Sequence, residues 1–414
     1  MTIHSSGNLV ILSTYPIAEA RHGGQLRVAN MKRAYETAGW AVTTLAVYQA
    51  EAYGASQVGS RDVPFPMSST YRRFAGQDVP FIADLQTGAF AVAADGGFDH
   101  ILDNLPTSVA VFQVEHPWLW PLVAKLRQRP EFASSLAVYS SHNIETPLKE
   151  GILAPFENKL IPQAIEAVEA AEKRAAREAD LTIAVSADDA KTLRKWGARQ
   201  VVVAPNGIAP WQATENDLRR WRERLPAFPW LLYIASGHPP NYSHFLEIFG
   251  GSLACFPPTS RLVVVGGVCE PLYHLVATSK WNSLNLSRLQ LLHQINDEDL
   301  AAVRSLAHGF ILPIPFGGGT NIKTAEALFS GKHVVGTQAA FRGYEHYLDL
   351  PGVVVSSTAQ GLQAAIRKII LMPPKAADND PTNRERRQSL RWDKSLERAV
   401  QAVDELTRRE SARG

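Results

Sequence analysis

Strands alternate with helices in each half of the chain, the alternation breaks once near residues 208–228, and an apolar run leads through a glycine-rich turn into a helix. These three observations predict an α/β protein of two facing Rossmann-like domains. Strands separated by helices form right-handed βαβ units and parallel sheets. A chain of 414 residues is also too long for one ordinary core.

In the first half, residues 8–13 read as a strand. Residues 25–38 have helical spacing, stopped by Gly39, and 41–47 form the next strand. Residues 51–80, with Pro64, Pro66 and Pro80, read as a long irregular loop. A helix fits 82–94, apolar strands fit 109–114 and 136–140, and a long alanine-rich amphipathic helix fits 157–179. After a strand at 181–185, Ser186 with Asp189 three positions later marks a helix start. A strand at 201–203 follows, and Pro205, Asn206 and Gly207 make a turn. The polar, tryptophan-bearing stretch 209–229 has no strand character.

The alternation restarts with strands at 230–235, 261–265, 290–292, 310–314, 333–336 and 353–355, and helices at 242–254, 297–307, 322–330 and 360–371. Residues 373–383 read as a proline-rich loop, and a basic amphipathic helix is predicted from about Arg384 to Arg409. The resulting division is 1–208, 209–383 and a tail, 384–414. Basic residues along the tail suit peripheral contact with a membrane surface, but Trp392, Leu396, Val400 and Val403 favour packing on the protein.

The formal net charge of +2 gives no electrostatic reason for a nucleic-acid partner. Two cysteines, Cys255 and Cys269, suit a reducing cytosol. Residues 1–8 are polar and the apolar run 9–12 is too short for a signal peptide, while no stretch reaches the roughly 20 apolar residues of a membrane span. A cytoplasmic location is therefore expected.

The segment Pro315-Phe316-Gly317-Gly318-Gly319-Thr320-Asn321-Ile322-Lys323 joins strand 310–314 to the next helix. A helix start presents unpaired N–H groups and partial positive charge, which suits phosphate. Lys323 falls in the first turn and Glu326 one turn on. A close charge pair at an intermediate dielectric is worth roughly 4 kcal/mol before desolvation, against ~0.3–1 kcal/mol from the helix terminus. Lys323 should therefore dominate diphosphate binding, with the backbone of Gly317, Gly318, Gly319, Thr320 and Asn321 setting geometry. The plain alternative is a solvated lysine. No glycine directly precedes Lys323, so this is not a Walker A loop. Glu326 is a candidate for ribose hydroxyls, or a surface glutamate paired with Lys323 or Lys332.

Gly23 and Gly24 allow backbone to approach a bound group, or form a plain flexible turn. Arg27, just inside the following helix, can meet a phosphate or an anionic acceptor. His116 and His142 follow apolar strands, where parallel sheets bind ligands, and can relay a proton. Both also read as structural histidines. His142 is preferred, with Asn143 and Glu145 as its orienting groups, and Glu115 is a further candidate. His238 and Asn241 lie in the first loop of the second half, and Gly266 and Gly267 either bound a base pocket or make a tight turn. No HExxH or CxxC motif occurs. Asp378-Asn379-Asp380 reads as a solvated turn, so no metal or other cofactor is expected.

Taken in order, these segments resemble a GT-B glycosyltransferase of the family 4 type over nearly the whole chain. The resemblance is carried by Gly23-Gly24-Gln25-Leu26-Arg27-Val28, Val114-Glu115-His116-Pro117, Ser141-His142-Asn143-Ile144-Glu145, Arg174 to Asp180, Val203 to Ile208, Gly318 through Glu326 to Val335, and Leu390-Arg391-Trp392-Asp393. Members often carry two glutamates eight positions apart; Glu326 matches the second, but Gly318 stands at the first. A basic pair often found after the first strand of the second domain is also missing from Ser236 to Tyr242.

The resemblance implies a nucleoside diphosphate sugar held by the C-terminal domain and an acceptor held by the N-terminal one. The acceptor classes are a glycan, a lipid-linked sugar or a small molecule. It also implies transfer with retention, and a tail crossing back to the first domain. A sugar-nucleotide epimerase and a non-catalytic sugar-nucleotide-binding protein are the alternatives.

Overall fold

The computed structural model describes residues 6–237, 239–314, 318–375 and 380–412. Two compact units result. The first comprises Met1–Asn206, Gly318–Thr320 and Ser395–Gly414; the second comprises Gly207–Gly317 and Asn321–Lys394.

The first unit is built on β1 (Ser6–Ser13), β2 (Trp40–Gln49), β3 (Val63–Phe65), β4 (Val111–Glu115), β5 (Leu136–Ser140), β6 (Leu181–Ala184) and β7 (Val201–Val203). They pair in the order β3-β2-β1-β4-β5-β6-β7, all parallel among the described residues. β4, β5 and β6 are buried at every position because helices cover both faces, so they read as mainly apolar runs, broken by Gln113, Glu115, Ser140 and Thr182, rather than as alternating ones. The strand order reverses between β1 and β4, the switch point at which such sheets open a crevice at their carboxyl ends.

β3 lies inside the stretch expected to be irregular. Val63 and Phe65 are buried while Pro64 between them points outward, and the strand sits at the sheet edge. An edge strand tolerates proline because one row of its N–H groups is unpaired. The helix expected at 157–179 begins at Ile161, with Pro162 in its first turn, and ends at Glu178. A separate helix, Glu145–Leu153, precedes it unannounced. Ser186 caps the helix Ala187–Lys195 as expected, accepting from Asp189 N at 3.0 Å.

In the second unit β8 (Trp230–Ile234), β9 (Arg261–Val265), β10 (Leu289–Leu291), β11 (Gly309–Leu312), β12 (His333–Thr337) and β13 (Val353–Ser356) form a parallel sheet in the order β10-β9-β8-β11-β12-β13. Its helices include Pro239–Phe249, Asp297–Leu306, Ile322–Phe329 and Ala359–Ile370. The linker stretch carries a helix of its own, Glu215–Arg222, capped by Thr214, with Trp221 buried in the core of the second unit. The units therefore change over at Asn206, and residues 207–228 belong to the second.

The tail is three helices rather than one: Pro381–Gln388, Trp392–Ser395 and Glu397–Ser411. The interruption has a cause. Ile208 N donates to Leu390 O at 2.8 Å and Trp392 N donates to Ile208 O at 3.1 Å, which holds Arg391 in an extended bridge. Leu396, Val400 and Val403 are buried, and Trp40 Nε1 donates to Asp404 Oδ1 at 2.7 Å, so the last helix packs on the first unit. Among the described residues no helix is long and apolar enough to cross a membrane. Asp378 and Asn379 lie outside the described residues; Asp380 caps the helix Pro381–Gln388.

Gly88, in the helix Ala83–Val92, allows that helix to meet the segment following β4: an added Cβ would lie 2.3 Å from Trp118 O. Gly88→Ala should therefore destabilise the protein by about 1–3 kcal/mol despite alanine's better helix propensity. Urea unfolding checks this; a neutral or stabilising effect would contradict the packing described.

Candidate active site

At the carboxyl edge of the first sheet, β1, β4 and β5 deliver Tyr15, Glu115 with His116, and His142. Glu115 is wholly buried and His142 nearly so. His142 Nε2 donates to Glu115 Oε2 at 2.5 Å, and Gln113 Nε2 donates to Glu115 Oε1 at 2.5 Å. His116 Nδ1 lies 2.8 Å from Glu145 Oε1. The Tyr15 hydroxyl sits between the two rings, 3.2 Å from His116 Nε2 and 3.3 Å from His142 Nδ1. His116 has φ 64°, a left-handed backbone rare for a residue with a side chain and found at functional sites.

These contacts redistribute the expected roles. His142 is oriented by Glu115 and Tyr15, not by Asn143 and Glu145; Glu145 instead holds His116. Helix geometry explains the exchange, because Glu145 opens the helix Glu145–Leu153 and points back to the end of β4. Glu115 has no exposed surface with which to touch an acceptor. Arg27, also without exposed surface, donates from Nη1 to Asn206 Oδ1 at 3.2 Å, so it is an internal counter-charge and not a ligand for an incoming anion. Asn143 Oδ1 is buried with no hydrogen-bond partner among the described residues.

Burial pushes the Glu115 carboxyl up, but the hydrogen bond from His142 and the Arg27 charge outweigh it and leave it below the usual range. Burial and the neighbouring His116 bring His142 down to about 4. An ionised Glu115 with a neutral His142 fixes the tautomer: Nε2 carries the proton and Nδ1 is bare. Burial would also raise Glu145, but His116 and Lys149 hold it low. The backbone N–H groups of Glu145 and Thr146 donate to Glu172, whose carboxyl burial nonetheless raises to about 7.

Glycines here serve the chain's own packing. Gly23 and Gly24 open the helix Gly23–Thr37, capped by His22, and a Cβ on Gly24 would lie 2.7 Å from the Tyr15 hydroxyl. Gly319, with φ 61°, would place a Cβ 2.3 Å from His142 O. The Gly318–Thr320 segment belongs with the first unit, where Asn206 N donates to Thr320 Oγ1 and Asn206 Nδ2 to Thr320 O, each at 3.1 Å.

In the second unit the helix Ile322–Phe329 is capped by Asn321, whose Oδ1 accepts from Lys323 N at 3.0 Å. Asn321 is thus occupied as a cap. Lys323 Nζ donates to Asn241 Oδ1 at 3.2 Å, joining two of the expected residues. Burial lowers the Lys323 ammonium to about 8, with the Glu326 charge opposing. Glu326 pairs with neither Lys323 nor Lys332: Arg304 Nη2 donates to its Oε1 at 2.6 Å, and both side chains are largely buried. The Arg304 guanidinium also lies over the Trp211 ring, 5.0 Å from its centroid. Burial raises the Glu326 carboxyl, opposed by Arg304 and Lys323.

Gly266 has φ 107° and would drive a Cβ to 2.2 Å from Ala235 O, while Gly267 meets Gly237 N at 2.9 Å. That pair makes the tight turn. His238 and Gly317 lie outside the described residues. Among the described residues no group of three or more His, Cys, Asp or Glu could hold a metal ion.

Tyr15, Asn206 and Arg304 were not anticipated. Tyr15 follows the first strand and was open to the switch-point argument; Asn206 read as a turn residue, and nothing local marks Arg304.

Residues 22–207 match the family model of the glycosyl transferase 4-like domain. That stretch is similar to this domain, and the two parallel-sheet units have the GT-B fold. Sucrose-phosphate synthase from Thermosynechococcus elongatus superposes with a TM-score of 0.69 at 17% identity, over 98% of this chain and 100% of that one. Anabaena Alr3699/HepE in complex with UDP gives 0.62 at 16%, over 96% and 100%. The catalytic domain of starch synthase IV from Arabidopsis thaliana, bound to ADP and acarbose, gives 0.62 at 13%, over 98% and 99%. No curated protein sequence matches the chain.

Removing the buried guanidinium in Arg27→Met leaves Glu115 uncompensated and should cost about 3–5 kcal/mol. Adding Glu115→Gln should restore part of that loss, since groups in one network are not additive. Denaturant unfolding of the three variants tests this; strict additivity would show that the two charges do not interact.

Proposed function

We propose that the protein transfers a sugar from a nucleoside diphosphate sugar to an acceptor hydroxyl, in the cytoplasm, with retention at the anomeric carbon and without a metal ion. The observation that carries this reading is Lys323. Its ammonium is half-buried in the first turn of a helix, hydrogen-bonded to the neutral Asn241, and lowered to about 8 by burial. A lysine in that position is an anion site in want of an anion. The glycosyl transferase 4-like domain and the UDP and ADP seen in proteins of the same fold make a diphosphate the fitting occupant.

In this reading Lys323 and the helix amides bind the diphosphate and stabilise the charge that grows on it as the glycosidic bond breaks. Glu326, its Oε1 held by Arg304, offers its other oxygen to the ribose hydroxyls. In the first unit, neutral His142 and the buried amide of Asn143 address the hydroxyl-bearing partner, with Glu115 fixing the His142 ring.

The sign of the pH dependence follows from the lysine. Below about 8 the free protein already carries the ammonium charge; above it, binding must first protonate Lys323. Affinity for UDP or ADP should therefore fall as pH rises through 8, measurable by titration at constant ionic strength. Lys323→Ala should lose about a hundred- to a thousand-fold in turnover with the fold intact by circular dichroism. Unchanged turnover with a confirmed donor would remove Lys323 from the mechanism.

A further inference from the structure

The Tyr15 hydroxyl has one proton and faces two imidazole nitrogens. The opposite nitrogen of each ring is committed to a carboxylate: His142 Nε2 to Glu115, and His116 Nδ1 to Glu145. If both rings are neutral and each donates to its carboxylate, two bare nitrogens compete for one O–H, and one is left unmatched. One further proton resolves the conflict. A protonated ring donates to the Tyr15 oxygen, Tyr15 donates to the other ring, and all four links carry a hydrogen. A second extra proton has no acceptor, and two charged rings with centroids 4.1 Å apart would repel.

We propose that Tyr15 is a positioning residue that joins His116 and His142 into one proton-sharing unit, holding a single proton beyond two neutral imidazoles.

The charges around the unit agree with that count. Glu115 and Glu145 are negative, and Arg27 from the helix Gly23–Thr37 supplies one positive charge, so one imidazolium brings the cluster to neutrality. Among the other groups facing it, Glu172 is raised by burial to about 7 and titrates in the imidazole range. It is already bonded to backbone N–H groups. Lys149 is paired with Asp84 at 2.6 Å, and burial keeps His22 neutral. Tyr35 and Tyr53 are raised by burial and remain phenols. Burial likewise raises Tyr15 well above the usual phenol range, so its proton stays available for donation.

Burial and the neighbouring ring make His142 resist charging. Tyr15 and His116 flank the switch point between β1 and β4. A ligand seated there meets one cationic and one neutral imidazole.

Nitrogen-15 NMR of histidine-labelled full-length protein, followed from pH ~5 to 8 where imidazoles titrate, reads this directly and needs no donor or acceptor. In the wild type the two rings together should take up one proton, with His142 keeping its proton on Nε2 throughout. Tyr15→Phe removes the oxygen that accepts from the protonated ring and should weaken the pair's uptake of that proton by about tenfold, one pH unit. Glu115 should still hold the His142 proton on Nε2 in that variant. His116→Gln, as a second variant, should abolish proton uptake and leave His142 neutral. Unchanged proton uptake in Tyr15→Phe, or uptake of two protons by the pair in the wild type, would overturn the proposal. Because no substrate enters, the result is independent of the transferase reading.

Discussion

Ionisable side chains held away from water shape the carboxyl edge of both sheets. A buried carboxylate is costly unless hydrogen-bonded and matched in charge. Glu115, wholly buried at the end of β4, therefore dictates its surroundings. Gln113 and His142 supply its hydrogen bonds, and Arg27 supplies the charge. Placing Arg27 there requires the helix Gly23–Thr37 to start close to β1. That start leaves room for the Tyr15 hydroxyl only because Gly24 has no Cβ. One desolvated carboxylate thus connects the strand ends, the glycine turn and the orientation of both histidines.

The second unit resolves the same constraint differently. Its carboxylate, Glu326, is claimed by Arg304, which leaves Lys323 bonded to a neutral amide. In the first unit the positive and negative charges balance internally; in the second the buried ammonium does not find a full counter-charge of its own. On the proposed reading, this contrast separates a network that holds ring positions from a site that receives an anion.

Much of the architecture is legible in the sequence because both sheets are parallel and buried. Mainly apolar runs mark β4, β5, β8, β9 and β11, and the spacing after Asn321 marks the helix bearing Lys323. Failures occur where tertiary contacts override local pattern. Pro64 disguised an edge strand, and the tail helix is broken by a bridge to Ile208 that lies far away in sequence. Residue types in the site were legible, but partners were not. Nothing local says that Glu145 serves His116, that Glu326 serves Arg304, or that Gly319 is glycine because His142 O passes beside it.

The central claim is that Lys323 is a partly desolvated cation completed by a diphosphate. Calorimetry of UDP or ADP binding near pH 8, repeated in buffers of different ionisation enthalpy, counts the protons exchanged. The account predicts proton uptake from buffer on binding in the wild type, and none in Lys323→Met. Buffer-independent heats in the wild type, or equal uptake in the variant, would contradict it.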